Sequence, residues 1–378
     1  MRIKNLLIFA TAGTLFLGLT VSSCKKKKDD TPTSANFDRG AMLSNIGNNI
    51  IIPSYQKHAT ALNSLDSAIT AFNLSPTSVG LTATQNIFKN AYRSWQYCSA
   101  FELGYAADQY TRISTNTFPI DSNKINSNIA AGTYDLSAPG NAAAKGLPGI
   151  DFLLFGSGAT NTIILNRFAS GSDATNRKKY LADLSSELKT RANNILNSWL
   201  PSGGNYISTF ISSNGTDVGS ATGQLINQYV FDFDILKNDK LGIPLGKQSN
   251  GVTYPTKTEG YYSGMSVELA SLQVQAAQNI YLGRDLNGND GLGFDDYLVT
   301  LNAKAGDGSS LNDVIKNQFT TTYTNLQAVA SPLSQTINNN PSQVDAAYTQ
   351  CQKLLVLLKT DMTSAMGILI TFEDNDGD

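Results

Sequence analysis

Between residues 55 and 72 the apolar side chains fall at Tyr55, Ala59, Leu62, Leu65, Ile69 and Phe72. That three-to-four spacing places them on one face of an α-helix and excludes a strand, whose faces alternate at every second residue. The pattern returns at Ile87, Phe88, Ala91, Tyr92, Trp95 and Cys98, and again at Tyr180, Leu181, Leu184, Leu188, Ile195 and Trp199. After a break at Pro201-Ser202-Gly203-Gly204 it resumes at Leu225, Ile226, Tyr229, Phe233 and Leu236. Further helices are expected near residues 263–282, 311–330 and 344–372. A chain that repeats one amphipathic pattern has to pack helix on helix. The predicted fold is therefore all-α, with two helical-bundle domains at residues 37–200 and 201–378. Their similar helical content fits a duplicated four-helix bundle, and the lack of a short fixed period argues against a solenoid.

Local signals refine this outline. Pro53 starts or kinks the first helix. Thr82 with Gln85 reads as a capping box, and Asp121 and Asp173 read as caps of the helices that follow them. Residues 241–258 carry glycine and proline and are expected to form an irregular loop.

The first residues read as an export signal. Arg2 and Lys4 precede an apolar run, residues 6–20, that is short for a membrane span. Val21-Ser22-Ser23-Cys24 then reads as a lipobox, with Cys24 as the lipidated residue; the alternative is an ordinary leader with a chance cysteine. Residues 25–36, with four lysines and two aspartates, are too polar to pack and read as a tether. The expectation is a bacterial envelope protein, anchored by lipid to the outer membrane. The net charge is −2, or −4 without Arg2 and Lys4, which argues against a nucleic-acid partner. Cys98 and Cys351 lie far apart in the chain and are expected to be buried free thiols.

His58 is the only histidine, and no His-Glu-x-x-His occurs. A histidine-based zinc site or a Ser-His-acid triad would have to recruit it, and beside Lys57 it reads as a surface or boundary residue. P-loop and Gly-x-Gly-x-x-Gly patterns are absent. Residues 285–296 alternate oxygen donors as a calcium loop does, but Asp290 stands where the turn needs glycine and Asp296 where the closing glutamate belongs. A polar loop is the other reading. The terminal acids, residues 374–378, read as a solvated tail.

The stretch of residues 145–156, Lys-Gly-Leu-Pro-Gly-Ile-Asp-Phe-Leu-Leu-Phe-Gly, is the most unusual. Pro148 suits a first helical turn, and Asp151 follows in that turn before a run that is apolar on all sides. Asp151 is then either a helix cap or a site residue.

This stretch resembles the Gly-x-His-x-x-Glu signature of imelysin-like proteins, with Pro148 in place of the histidine and Asp151 in place of the glutamate. Trp95, Glu102 and Gly104 resemble the family's Trp–Glu–Gly segment. Phe118-Pro119-Ile120-Asp121 resembles its Trp-Pro-x-Asp turn, and Glu259-Gly260-Tyr261-Tyr262-Ser263 its later Glu/Tyr/Ser segment. The resemblance runs from about residue 35 to the end. It implies that Asp151, Pro148, Glu102, Asp121 and Glu259 converge at the seam between the bundles, with Trp95, Tyr262 and Ser263 lining the cleft. Asp151, Glu102 and Glu259 are the candidate metal ligands; hard oxygen donors without histidine suit iron or calcium better than zinc.

What the resemblance implies is binding of a metal or iron-linked ligand, in service of an iron-uptake system. The altered signature shifts the expectation away from proteolysis. A carboxylate-dependent metallopeptidase and a structural cell-surface module are the alternatives.

Overall fold

The computed structural model describes residues 37–372. The Cys24 lipobox, the polar tether and the terminal acids lie outside the described residues.

The expected helices form, and their ends follow from local chemistry. Helix α1 (Ile52–Leu74) starts with Pro53 in its first turn and buries Tyr55, His58, Leu62, Leu65, Ile69 and Phe72. Helix α2 (Ser78–Trp95) begins one turn before the expected capping box, because Thr77 accepts the Gly80 N–H first. Thr82 is thus inside the helix. Gln85 turns inward instead, and its side-chain amide donates to the Leu154 carbonyl at 2.7 Å. Helix α3 (Gly146–Asp151) is short, and α4 (Ala174–Trp199) is long. Asp173 precedes α4 but makes no capping bond; its carboxylate pairs with Arg177 at 2.6 Å.

In the second half, α5 (Ala221–Ile235) is capped by Ser220, and α6 (Ser266–Tyr281), α7 (Leu311–Gln327) and α8 (Pro341–Val356) follow. The stretch expected to be loop at 241–258 is partly helical, with turns at Ile243–Leu245 and Pro255–Lys257. The last helix does not run unbroken to 372. It passes through a π turn at Leu357–Met362 and ends at Met366, where Gly367 adopts positive φ.

Two groups of helices build the body. Helix α1 packs against α2 and α4, and α3 lies on α4. In the other group α7 packs between α6 and α8, and α5 contacts α6. The groups meet where α2 touches α6, across which Arg93 and Glu268 pair at the surface. No strand occurs among the described residues, only one isolated bridge between Lys304 and Ser310. The fold is all-α, as the apolar spacing requires.

Aromatic side chains dominate the core. Trp199 is fully buried, with Tyr55, Tyr206 and Phe210 around it at ring separations of 4.9–6.2 Å. Truncation of such a residue costs about 3–5 kcal/mol. Cys98 and Cys351 are buried and unpaired. No helix among the described residues is long and apolar enough to cross a membrane.

Among the described residues four π turns interrupt the helices, at Ile46–Ile51, Phe152–Gly156, Leu236–Gly242 and Leu357–Met362. The second directly follows Asp151, and the third carries Asp239 and Lys240. A π turn admits an extra residue into the helical ladder and re-aims the side chains around it. Both regions of interest below are built on this device.

Candidate functional site

Asp151 is buried, as its sequence setting demands, but it caps nothing in its own helix. The helix starts at Gly146, so Asp151 stands at its end rather than in its first turn. Gly146 is required there: its φ is +71°, and a Cβ would lie 2.4 Å from the Thr115 carbonyl oxygen. The Asp151 carboxylate instead crosses to the other half of the chain. It accepts the Tyr262 N–H at 3.0 Å and the Ser263 N–H at 3.1 Å. Burial pushes its carboxyl up to about 7, against the lowering effect of the Ser263 and Tyr262 hydrogen bonds, with nearby Glu259 adding to the rise. The Tyr262 ring packs on Phe152 and lies so close to Gly156 that a Cβ there would fall 2.0 Å from it. Pro148, Asp151, Phe118 and Tyr262 surround a space of only about 30 Å³. That is room for a water, not for an organic ligand.

Glu259 opens the same segment and anchors a buried polar network. One carboxylate oxygen accepts from Asn116 at 2.7 Å and from Gln96 at 3.1 Å. The other faces the Lys240 ammonium at 2.6 Å. Lys240 also donates to Gln96 at 2.7 Å, and Tyr92 donates to Asn116 at 2.9 Å. Both members of the ion pair are almost fully buried, with side-chain exposures of 4% and 1%.

On the far side of Lys240 lies a cavity of about 340 Å³. Its wall includes Trp95, Phe118 and Phe231, and its charged members are Glu102, Arg112, Asp232, Asp239 and Lys240. Residues before 119 and after 230 contribute to it together. Glu102 accepts from the Arg112 backbone N–H at 2.9 Å and from its guanidinium at 2.6 Å. The same guanidinium donates to the Ser99 carbonyl and to Gln228, and lies 5.0 Å over the Phe231 ring. Asp232 approaches it at 3.9 Å and accepts from Ser99 and Gln273. Burial raises the Asp232 carboxyl, and Arg112 opposes the rise.

The structure thus divides the expected set. Trp95 and Glu102 line the cavity; Asp151, Pro148 and Tyr262 surround the small space, with Ser263 bound to Asp151; Glu259 lies between the two. Asp121 stands apart: it is exposed and caps the helix Ser122–Ala131 through the Lys124 N–H, the capping role its position in the sequence suggested. Asp151, Glu102 and Glu259 do not come together as a metal centre. Among the described residues no three His, Cys, Asp or Glu side chains form a metal-binding group. The 285–296 loop commits its oxygens internally, Asp285 to the Asn287 and Asn289 N–H groups, Asp290 to Arg284, and Asp296 to the Gly293 N–H.

His58 is not at the surface. It is buried behind Trp95, with ring centres 5.6 Å apart, and its Nδ1 lies 2.8 Å from the Ser94 hydroxyl. Burial pushes its pKa down to about 3, so it is neutral. Adjacent Lys57 misled the sequence reading; the two are on different faces of α1.

Arg112, Asp232, Asp239 and Lys240 were not anticipated. A signal was present in Tyr229-Val230-Phe231-Asp232-Phe233-Asp234-Ile235, where acids alternate with large apolar residues. Charges that recur inside a run too apolar to face water must be paired or functional.

Fold and site together define an all-α protein with a partly charged cavity walled by both halves of its chain. The imelysin family profile (peptidase M75) matches residues 51–360, and the chain belongs to this family. Iron-regulated protein A of Synechococcus elongatus is 22% identical over 246 residues, 63% of this chain and 63% of that protein. The crystal structure of a putative iron-regulated protein A precursor from Parabacteroides distasonis shares the fold, with TM-score 0.72 and 18% identity over 89% of this chain and 97% of that one. An imelysin-like protein from Psychrobacter arcticum gives TM-score 0.66 and 16% identity over the same shares.

Proposed function

We propose that this protein is a lipid-anchored envelope member of the imelysin family that holds an iron-linked ligand, serves iron uptake and does not hydrolyse peptides. The observation that carries this reading is the lining of the 340 Å³ cavity, where Trp95, Phe118 and Phe231 meet Glu102, Arg112, Asp232, Asp239 and Lys240, an apolar wall with a few polar groups as small-molecule sites have. Iron regulation of family relatives supports the choice of ligand. A chelate suits the cavity better than a bare ion, because a hard metal needs several converging oxygens and the carboxylates here are dispersed. A peptidase metal centre fits these residues poorly for the same reason, and Pro148 offers no donor where the family signature has histidine.

The test is to incubate the purified protein with ferrioxamine B, a ferric chelate that carries a protonated amine, remove unbound chelate by gel filtration, and assay retained iron and casein hydrolysis on one sample. Retained iron with no hydrolysis is expected. Hydrolysis abolished by a chelator would favour the metallopeptidase, and absence of both would favour a structural module. Anchoring is tested separately: Cys24→Ala should release the protein from the membrane fraction.

A further inference from the structure

The charged groups on the cavity wall are three acids and two bases. Both bases are engaged. Arg112 holds Glu102 at 2.6 Å, and Lys240 holds Glu259 at 2.6 Å. Asp232 faces Arg112 and accepts from Ser99 and Gln273. Asp239 is different: among the described residues it makes no hydrogen bond and no ion pair, yet it lines the cavity with Trp95, Phe118 and Phe231.

We propose that this cavity takes a ligand bearing an organic cation, a protonated amine, which the Asp239 carboxylate pairs while the aromatic wall encloses its carbon frame. The inference rests on the reading of the cavity as the ligand site and adds the chemical class of the ligand. An anion is disfavoured, because the wall carries a surplus negative charge and its cations already hold carboxylates. A bare metal ion is disfavoured, because one free carboxylate does not make a coordination shell. An ammonium needs only one carboxylate at close range, and aromatic faces add cation–π attraction. Burial and Asp234 push the Asp239 carboxyl up to about 6, against the lowering effect of neighbouring Lys240.

The experiment titrates the folded protein with phenethylamine, 2-phenylethanol and 3-phenylpropionate, which share a phenyl ring and differ in charge, by calorimetry. The amine is expected to bind about tenfold or more tightly than the alcohol, and the anion weakest. Asp239→Asn should lose about that factor for the amine and none for the alcohol, while Asp239→Glu should retain most of the amine preference. Dichroism and Tm on each variant verify the fold. Equal binding of amine and anion, no amine binding at millimolar concentration, or unchanged amine affinity in Asp239→Asn would overturn the proposal. Ferrioxamine B retention on the same samples separates the two levels. Retained iron without amine preference rejects the cationic ligand alone; loss of both rejects the cavity as the site.

Discussion

Asp151 and Asp239 are two acids at the ends of one chain of contacts. Asp239 adjoins Lys240, Lys240 pairs with Glu259, and three residues beyond Glu259 the backbone N–H groups of Tyr262 and Ser263 reach Asp151. Each acid sits at a π turn. Their surroundings differ in what they leave over. Asp151 has both oxygens occupied by backbone donors and only a small space beside it, whereas Asp239 lines the larger cavity and makes no hydrogen bond or ion pair among the described residues. The difference separates a latch from the proposed site: the signature acid ties one half of the chain to the other, and the larger cavity is where we propose that a ligand binds.

The largest expected effect lies between the two acids. Glu259→Ala leaves the buried Lys240 ammonium without its paired carboxylate, holding only the Gln96 side chain, which costs about 3–5 kcal/mol. Denaturant unfolding should show it, and a loss under about 1 kcal/mol would mean that water reaches Lys240 and that latch and cavity are not joined through this pair.

Asp151→Ala comes next. It strips the Tyr262 and Ser263 N–H groups of their acceptor, with an expected loss of roughly 1–3 kcal/mol. The pH dependence of Asp151→Asn sharpens the point. In the folded protein the carboxyl is raised from 3.8 to about 7, so the fold favours its protonated form. Its stabilising contribution is complete below about 4 and is lost as the pH rises through about 7. Stability of the parent relative to Asp151→Asn should therefore fall across that window; a flat difference between pH 4 and pH 8 would show that the two backbone hydrogen bonds fully offset burial.

Asp239→Asn has the smallest expected effect on stability. No partner is lost, and burial of an ionised acid is relieved, so Tm at pH 7–8 should be unchanged or higher. A clear fall in Tm would reveal a structural role for Asp239 and weaken the contrast with Asp151.

The features that were legible in the sequence are those set by local chemistry. Tyr55 to Phe72 announced a helix because burial of one face needs only periodicity, and Asp121 announced its cap because a cap is read within four residues. Long-range pairing was not legible. Gln85 looks like a capping residue until the Leu154 carbonyl, 69 positions later, turns out to need its amide. Asp151 looks like a cap because nothing local reveals that its donors lie at Tyr262 and Ser263. His58 looks solvent-facing beside Lys57, yet α1 turns it inward onto Trp95. The π turns escaped because one extra residue in a helical ladder barely disturbs apolar spacing. Asp239 lies in such a turn, and its significance is a vacancy in pairing that only the folded chain defines.

The contrast between latch and site is tested most directly by locating bound iron. Crystals soaked in ferrioxamine B, measured at the iron absorption edge, would place the metal by its anomalous scattering. The account predicts a peak inside the cavity, against Trp95, Arg112 and Asp239. A peak beside Asp151 and Tyr262, with the cavity featureless, would contradict it.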